Sequence, residues 1–253
     1  MQVDPGMEEE QSFLTHLVEL RSRLLKAVAA VLVVLVALLP FSKRIYALLA
    51  RPLVEHLPAG GSMIATEVAS PFLVPLKLCF FVALFLAMPV VLYQLWAFVS
   101  PGLYRHEKRL ALPLLGSAVA LFYIGCAFAY FLVLPAVFTF TTGIAPEGVA
   151  VMPDISRFLD FALILFLAFG LCFEVPVALV ILVAIGVVTP AQLATNRSYA
   201  IVGAFVVSAV VTPPDVLSML MLAIPMCLLY ELGILVARAI VRRSAAVDAA
   251  AGD

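Results

Sequence analysis

Two acidic residues each lie among basic residues beside a long apolar stretch. Glu19 stands in HLVELRSRL, four residues before Arg23, and Glu107 stands in SPGLYRHEKR, between Arg105 and Arg109. The two acids fall at the same side of the predicted membrane in a chain with few charges to spare, which favours a functional role for the pair. Each acid also has a plainer reading, Glu19 as an i,i+4 ion pair and Glu107 as a solvated charge near a helix N-terminus.

Two further polar residues lie inside apolar stretches, Glu174 in FEVPVALVIL and Gln94 in LAMPVVLYQL. A bare carboxylate at mid-depth in a membrane is costly, so Glu174 is expected to face a concave interior reached by water or by a partner helix. We expect it to be protonated and to donate a hydrogen bond. The alternative is an ionised acid whose charge holds water in a thinned membrane.

The composition requires these residues to be positioned by membrane helices. Of the 253 residues 65% are hydrophobic and only 12% are charged. A helix needs about 20 apolar residues to cross the hydrocarbon layer, so the long uncharged runs predict an all-α polytopic membrane protein. The six transmembrane helices are predicted near residues 24–41, 71–98, 111–139, 158–185, 199–212 and 216–236.

The chain is predicted to form a single integral membrane domain over residues 1–253. A cytoplasmic N-terminal helix is expected over 8–23 and a disordered cytoplasmic tail over 244–253. The external segment 42–70 should lie on the outer surface as short helices broken at Pro52. The uncharged runs of the last two spans are short, so the fifth and sixth helices should be short and the bilayer thin beside them.

The distribution of lysine and arginine predicts the orientation, because translocation disfavours these residues. With a cytoplasmic N-terminus, most of them fall on the cytoplasmic side: Arg21, Arg23, Lys26, Arg105, Lys108, Arg109, Arg197, Arg238, Arg242 and Arg243. Fewer fall on the outer side: Lys43, Arg44, Arg51 and Arg157. Both termini are therefore expected in the cytoplasm.

Several function classes find no support in the sequence. The four cysteines have no metal or redox spacing, and there is no glycine-rich phosphate loop, so no metal or cofactor is expected. The histidines lie outside the spans, and neither His-Glu-x-x-His nor Gly-x-Ser-x-Gly occurs, which argues against an enzyme. The basic residues follow topology rather than a nucleic-acid footprint. A proton-coupled solute transporter that uses Glu174 remains the alternative.

The last spans and their prolines predict surfaces for other helices. Prolines inside the second, fourth and sixth spans predict bent helices around a concave face, although proline is also common in membrane helices generally. The fifth span carries small residues that would permit close approach of a partner helix near Thr212, with internal packing as the alternative: Ala200, Gly203, Ala204, Ser208 and Ala209. In the following TPPD turn, Asp215 is placed to cap the next helix.

Four segments in the same order resemble the TatC family, the large membrane subunit of the twin-arginine protein translocase. They are HLVELRSRLL, YQLWAFVSPGLYRHEKR, FEVPVALVIL and TPPDVLSMLMLAIPMCLLYELGI. The resemblance implies six spans with cytoplasmic termini, a glove-like concave shape, and residence in the bacterial inner membrane as part of an oligomer. It also implies recognition of paired arginines in the signal peptides of folded cargo, assembly with single-span TatA- and TatB-like partners, and transport driven by the proton-motive force.

The resemblance also assigns roles to individual residues. Glu19 and Glu107 would bind the signal peptide, and Phe98 would line the same site. Pro52, Glu174 and Asp215 match positions that are functional in the family. The family's polar positions early in the sixth helix are met here by Met219 and Leu220, a departure that weakens the case for a hydrogen-bonded TatA contact there.

Overall fold

The computed structural model describes residues 5–56, 64–99, 108–143, 152–212 and 216–251. Those residues are almost entirely helical, with one isolated bridge between Ile64 and Asp154. The α-helices are α1 (Pro5–Leu38), α2 (Ser42–His56), α3 (Ser70–Val99), α4 (Lys108–Phe128), α5 (Leu134–Gly143), α6 (Ile155–Phe173), α7 (Val175–Ala184), α8 (Pro190–Thr195), α9 (Arg197–Val211) and α10 (Val216–Ala251).

Five helical segments in these ranges are long and apolar enough to cross a membrane. They are Leu17–Leu49, Ser70–Phe98, Leu112–Phe140, Ile155–Ala184 and Ser218–Arg242. The remaining predicted span corresponds to the shorter apolar helix α9, whose 15 residues extend about 22 Å. The all-α polytopic class is confirmed. Whether α9 makes a sixth crossing of a core about 30 Å thick stays a prediction, as does the concave shape.

Two predicted boundaries differ from the structure. The N-terminal helix and the first span are one continuous helix, α1, which is followed by a short 3₁₀ turn over Leu39–Phe41. The sixth helix is not short, because α10 has 36 residues and its apolar segment extends through Glu231 to Arg242. It continues to Ala251, which corrects the expectation of a disordered tail from 244. Alanine is the strongest helix former, so nothing in the alanine-rich tail ends the helix.

Only one of the three prolines in the predicted bent spans coincides with a helix break. Pro89 and Pro225 lie inside the continuous helices α3 and α10. Pro176 follows the break between α6 and α7, which falls at Glu174. Proline has no N–H to donate into the preceding turn, which favours a break here, although α3 and α10 continue through their prolines. The third span is interrupted differently, by a π-helical turn over Ala129–Val133 between α4 and α5.

The centre of the molecule is the close contact of α4 with α6. A β-carbon placed on Gly125 would lie 2.5 Å from the carbonyl oxygen of Phe169, and one on Gly170 would lie 2.5 Å from the Phe122 ring. Glycine at these positions lets the two backbones approach, as is usual between membrane helices. Phe122 and Phe169 are fully buried in this seam. The break at Glu174 is therefore attached to a tightly packed part of the chain.

Candidate functional site

Glu19 lies on the N-terminal part of α1, where its carboxylate already binds a guanidinium. Arg23 donates to its Oε1 atom from both Nε, at 2.9 Å, and Nη2, at 2.6 Å. The Glu19 side chain remains 34% exposed and that of Arg23 24% exposed. The ion pair expected from the i,i+4 spacing is therefore present. The acid stays open to a ligand from outside the chain.

Phe98, predicted in the same site as Glu19, and Gln94, predicted as an intramembrane polar residue, both lie near the end of α3. Gln94 and Phe98 are both half-buried and stand four residues apart, so they share one face of α3. Trp96, between them, is buried. Glu107 falls outside the described residues, between the end of α3 at Val99 and the start of α4 at Lys108. Its approach to Glu19 stays a prediction.

Glu174 occupies the break between α6 and α7 rather than a regular helical position. Its main-chain N–H donates to the Leu171 carbonyl at 3.1 Å, and its own carbonyl accepts from the Ala178 N–H at 2.9 Å. The side chain is not fully hydrogen-bonded, because Oε1 is buried and has no hydrogen-bond partner among the described residues. An unpaired buried carboxyl oxygen is costly to retain unless water or a partner supplies the missing bond.

The small residues of α9 are divided between two faces. Ala204 and Ser208 are buried, and Ser208 donates its hydroxyl to the Ala204 carbonyl at 2.7 Å. Gly203 and Ala209 are exposed, and a β-carbon at Gly203 would meet no atom within 4 Å. Thr212 is buried and donates to the Ser208 carbonyl at 2.8 Å. The structure thus leaves Gly203 and Ala209 available to a partner helix and places Thr212 in internal packing.

Two other predicted residues lie on the outer side of the predicted topology. Pro52 is part of α2, which runs through residue 52 to His56, so the predicted break at this proline is wrong. Asp215 lies outside the described residues, immediately before α10. Its predicted capping role therefore stays a prediction.

Two polar contacts between distant residues had no signal in the sequence. Arg197, at the start of α9, forms a fork with Glu231 of α10, with Nε to Oε1 at 2.6 Å and Nη2 to Oε2 at 2.8 Å. Beside it, the Tyr230 hydroxyl donates to the Leu193 carbonyl at 2.9 Å. These bonds hold α8, α9 and α10 together at one end. Arg197 and Glu231 are 34 positions apart, so only the packing of the helices brings them into contact.

At the other end of the bundle, Asp154 links the N-terminus of α6 to Thr66, before α3. Its Oδ1 accepts the N–H groups of Ser156 and Arg157 and so caps α6, a role that an aspartate before an apolar run could have indicated. Its Oδ2 accepts the N–H and the hydroxyl of Thr66, at 2.9 and 2.7 Å. These bonds, first among them the one from the Thr66 hydroxyl, lower the pKa of Asp154 to about 2. Lys77 and Asp160 form an ion pair nearby.

No group of histidine, cysteine, aspartate or glutamate among the described residues could hold a metal ion. An apolar cavity of about 280 Å³ lies beside the π-helical turn, lined by side chains that include Val82, Phe85, Tyr130 and Phe166. Its lining contains no aspartate, glutamate, histidine, lysine or arginine. The long apolar helices define the class, a polytopic α-helical membrane protein, which carries an acid at the α6–α7 break and an acid paired with an arginine within α1.

The chain belongs to the TatC family. The family model described as "Sec-independent protein translocase protein (TatC)" matches residues 15–225. A relative of that description from Azotobacter chroococcum mcd 1 is 56% identical over 234 residues, which cover 92% of this chain and 92% of the relative. The one from Escherichia coli strain K12 is 52% identical over 233 residues, covering 92% of this chain and 90% of the relative.

A solved structure shows the same fold. It is described as "Crystal Structure of Twin Arginine Translocase Receptor- TatC", has a TM-score of 0.79 and 38% sequence identity, and the match covers 88% of this chain and 98% of that one. The resemblance inferred from the four sequence segments is therefore confirmed. The chain is a multi-pass membrane component of the Sec-independent protein translocase, and its family is not one of enzymes.

Proposed function

We propose that this chain is the receptor subunit that binds twin-arginine signal peptides at the cytoplasmic face of the bacterial inner membrane. Glu19 and Glu107 each bind one guanidinium, and Phe98 supplies an apolar wall to the same site. The observation that carries this proposal is the bond of Glu19 to the Arg23 guanidinium on a side chain that is still one-third exposed. Glu19 thus already pairs with one arginine of this chain and is still partly exposed, which supports the proposal.

Photo-crosslinking and affinity measurements test this assignment with the full chain in lipid nanodiscs. A photo-crosslinker carried by a synthetic signal peptide beside its Arg-Arg pair should capture the parent chain, and the Lys-Lys variant of the same peptide should not. In separate variants, Glu19→Ala and Glu107→Ala should each weaken Arg-Arg binding about tenfold or more, because hydrogen bonds to charged groups contribute about 1.5–3 kcal/mol. Glu67→Ala removes the same charge from the segment before α3 and should bind normally. Unchanged binding by the Glu19/Glu107 double variant would sink the assignment.

Export of folded proteins also needs partners, and the exposed face of α9 is proposed to dock a single-span TatA- or TatB-like helix. The support is the pair of exposed small residues, Gly203 and Ala209, on a helix that is packed on its other side through Ala204 and Ser208. Small residues let a second backbone approach closely within lipid. The departures at Met219 and Leu220 place less weight on α10 for this contact.

Cysteine crosslinking separates docking from internal packing. Gly203→Cys and Ala209→Cys should form disulfides with a cysteine-bearing partner helix, whereas Ala204→Cys should not, because Ala204 is only 4% exposed. Equal crosslinking at all three positions would indicate collision rather than a defined interface. Absence of crosslinking at every exposed position of α9 would refute the placement.

The wider proposal follows from the family and from the charge distribution. Both termini are cytoplasmic, the subunit assembles with copies of itself, and the proton-motive force drives transport. Pro52 and Asp215 are proposed to act at the periplasmic face, and Gln94 within the membrane. Accessibility of single cysteines placed in the tail after Arg243 and in the segment near Glu67 tests the orientation. Labelling of the tail from the periplasm would contradict it.

A proton-coupled solute transporter is the second candidate, and it is favoured by the buried Oε1 of Glu174, which has no hydrogen-bond partner among the described residues. An acid that binds and releases a proton in mid-membrane is a common part of such transporters. Transport measurements on the purified chain reconstituted without partner subunits distinguish the transporter from the translocase receptor. Small-solute uptake without partner subunits would favour the transporter, whereas co-purification with single-span partners and no uptake would favour the translocase receptor.

A further inference from the structure

The Glu19 carboxylate is occupied asymmetrically in this chain. Both Arg23 donors meet the same oxygen, Oε1, while Oε2 accepts no hydrogen bond from the described side chains. The usual arrangement of an arginine with a carboxylate uses both oxygens in two parallel bonds. The Arg23 side chain does not adopt that arrangement in this structure. Glu19 is therefore bound by an arginine in a geometry that an external arginine could improve.

We infer that Arg23 is an intramolecular competitor that occupies Glu19 in the unliganded receptor and sets the affinity threshold for basic peptides. This inference rests on the proposed signal-peptide site. An incoming guanidinium gains two parallel bonds to Glu19 only by displacing Arg23 from Oε1. A ligand that binds both carboxylate oxygens therefore bears this displacement cost, whereas an ammonium bound to Oε2 alone does not. Arg23 thereby raises the concentration at which a twin-arginine peptide binds.

The energetic scale of the competition is modest. Ion pairs between partly exposed side chains, including i,i+4 pairs on helices, are weak interactions that salt screens. Releasing Glu19 from Arg23 should therefore raise peptide affinity about two- to fivefold, not by orders of magnitude. The gain should be smaller for a Lys-Lys peptide, because an ammonium can bind the free Oε2 without displacing Arg23 from Oε1. Arg23 thus sets the concentration at which an arginine ligand binds, and Glu19 with its partner acid provides the preference for arginine.

The experiment measures Arg-Arg and Lys-Lys peptide affinity for the parent chain and five variants, each as the full chain in nanodiscs. The variants are Arg23→Gln, Arg23→Lys, Lys26→Gln, Glu19→Gln and the Glu19→Gln/Arg23→Gln double variant. Arg23→Gln should raise the Arg-Arg affinity about two- to fivefold and the Lys-Lys affinity less, and Arg23→Lys should raise the Arg-Arg affinity less than Arg23→Gln does. Lys26 lies seven residues from Glu19 on the same helical face and is not bonded to it. Lys26→Gln therefore reports the long-range loss of one positive charge.

The double variant identifies the route of the effect. If Arg23 acts through Glu19, the gain from Arg23→Gln disappears in the Glu19→Gln background. An equal gain in both backgrounds, a gain no larger than that of Lys26→Gln, or lower affinity in Arg23→Gln would each overturn the inference. The proposed site fails separately, if Glu19→Gln alone leaves Arg-Arg binding unchanged. Loss of binding in Glu19→Gln with no gain in Arg23→Gln would leave the site standing and remove only the competitor.

Discussion

The acids at the two ends of the bundle and the acid in its middle differ in how fully the chain satisfies them. Asp154 accepts four hydrogen bonds, two from the α6 N-terminus and two from Thr66. Glu231 is held through both oxygens by Arg197, and Glu19 through one oxygen by Arg23. Glu174 has one buried oxygen with no partner among the described residues. The four acids thus differ in how many of their carboxylate oxygens are hydrogen-bonded, from both oxygens in Asp154 to a buried oxygen without a described partner in Glu174.

This gradation separates structural roles from functional ones. A carboxylate whose partners come from distant parts of the chain stabilises the fold, because losing it leaves several donors unpaired. A carboxylate with free bonding capacity contributes little to the fold and is available to a ligand, water or partner. The comparison therefore expects stability effects to fall from Asp154 through Glu231 to Glu19. Effects on transport or binding should be greatest at Glu174 and Glu19.

Glu174 should give the largest functional effect. Glu174→Ala is expected to reduce transport more than tenfold, Glu174→Gln to preserve most of it because the amide keeps a donor and an acceptor, and Glu174→Asp to fall between them because its arm is shorter. Export of a folded reporter with a twin-arginine signal measures all three. Loss in Glu174→Gln and Glu174→Ala with activity kept in Glu174→Asp would show that the charge itself is required.

The stability of a Glu174 variant tests the same comparison. Glu174→Leu should stabilise the chain by about 1–3 kcal/mol, since it removes a buried oxygen that lacks a partner. It should also abolish transport. A Tm measured in detergent should then rise by about 2–4 °C per kcal/mol for a chain of this size. A lower Tm in Glu174→Leu would mean that the Glu174 carboxyl stabilises the fold. The comparison between paired and unpaired acids would then fail for Glu174.

Asp154 should give the largest loss of stability among the four acids, and the loss should depend on pH. The pKa of Asp154 in the folded chain is about 2, below the ordinary aspartate value of about 3.9. A carboxyl with a lowered pKa stabilises the fold above its unfolded pKa, and this contribution is lost as pH falls from about 4 to about 2. Asp154→Asn should lower Tm at pH 7 and remove that part of the acid dependence.

Thr66→Val provides the matched control for this prediction. It removes the hydroxyl bond to Asp154 and keeps the main-chain bond and the α6 cap, so its Tm at pH 7 should lie between those of the parent and Asp154→Asn. A Tm that falls with acid equally in the parent and in Asp154→Asn would show that other carboxyl groups control the acid response.

The fork between Arg197 and Glu231 should have a smaller effect. Both side chains are nearly half exposed, so the pair is expected to contribute about 0.5–1 kcal/mol, at the upper end for surface ion pairs because both oxygens are used. Glu231→Gln and Arg197→Lys should each lower Tm by about 1–4 °C. The double variant should lower it by less than the sum of the two, since both singles break the same pair.

The sequence allowed the helical membrane class to be predicted because apolar length alone defines a span. The end of the sixth helix was predicted too early. The uncharged run stops at Glu231, which made the sixth span look short, yet α10 continues through this residue, whose carboxylate pairs with Arg197 of another helix. The bond from Thr66 to Asp154 likewise spans 88 positions and depends on packing that no local pattern contains. Glu19, in contrast, could be found because its partner lies one helical turn away.

The smallest stability effect is expected at Glu19, although its effect on binding should be large. The pair with Arg23 lies within one helix and restrains no distant segment, so Glu19→Gln and Arg23→Gln should each cost only about 0.2–0.5 kcal/mol. That is a Tm change of about 1–2 °C at most. Thermal unfolding of Glu19→Gln and Arg23→Gln, measured alongside Glu231→Gln, tests this order of stability effects. If Glu19→Gln lowered Tm more than Glu231→Gln did, the acid would hold the fold together, and its loss of peptide binding could no longer be read as loss of a ligand contact.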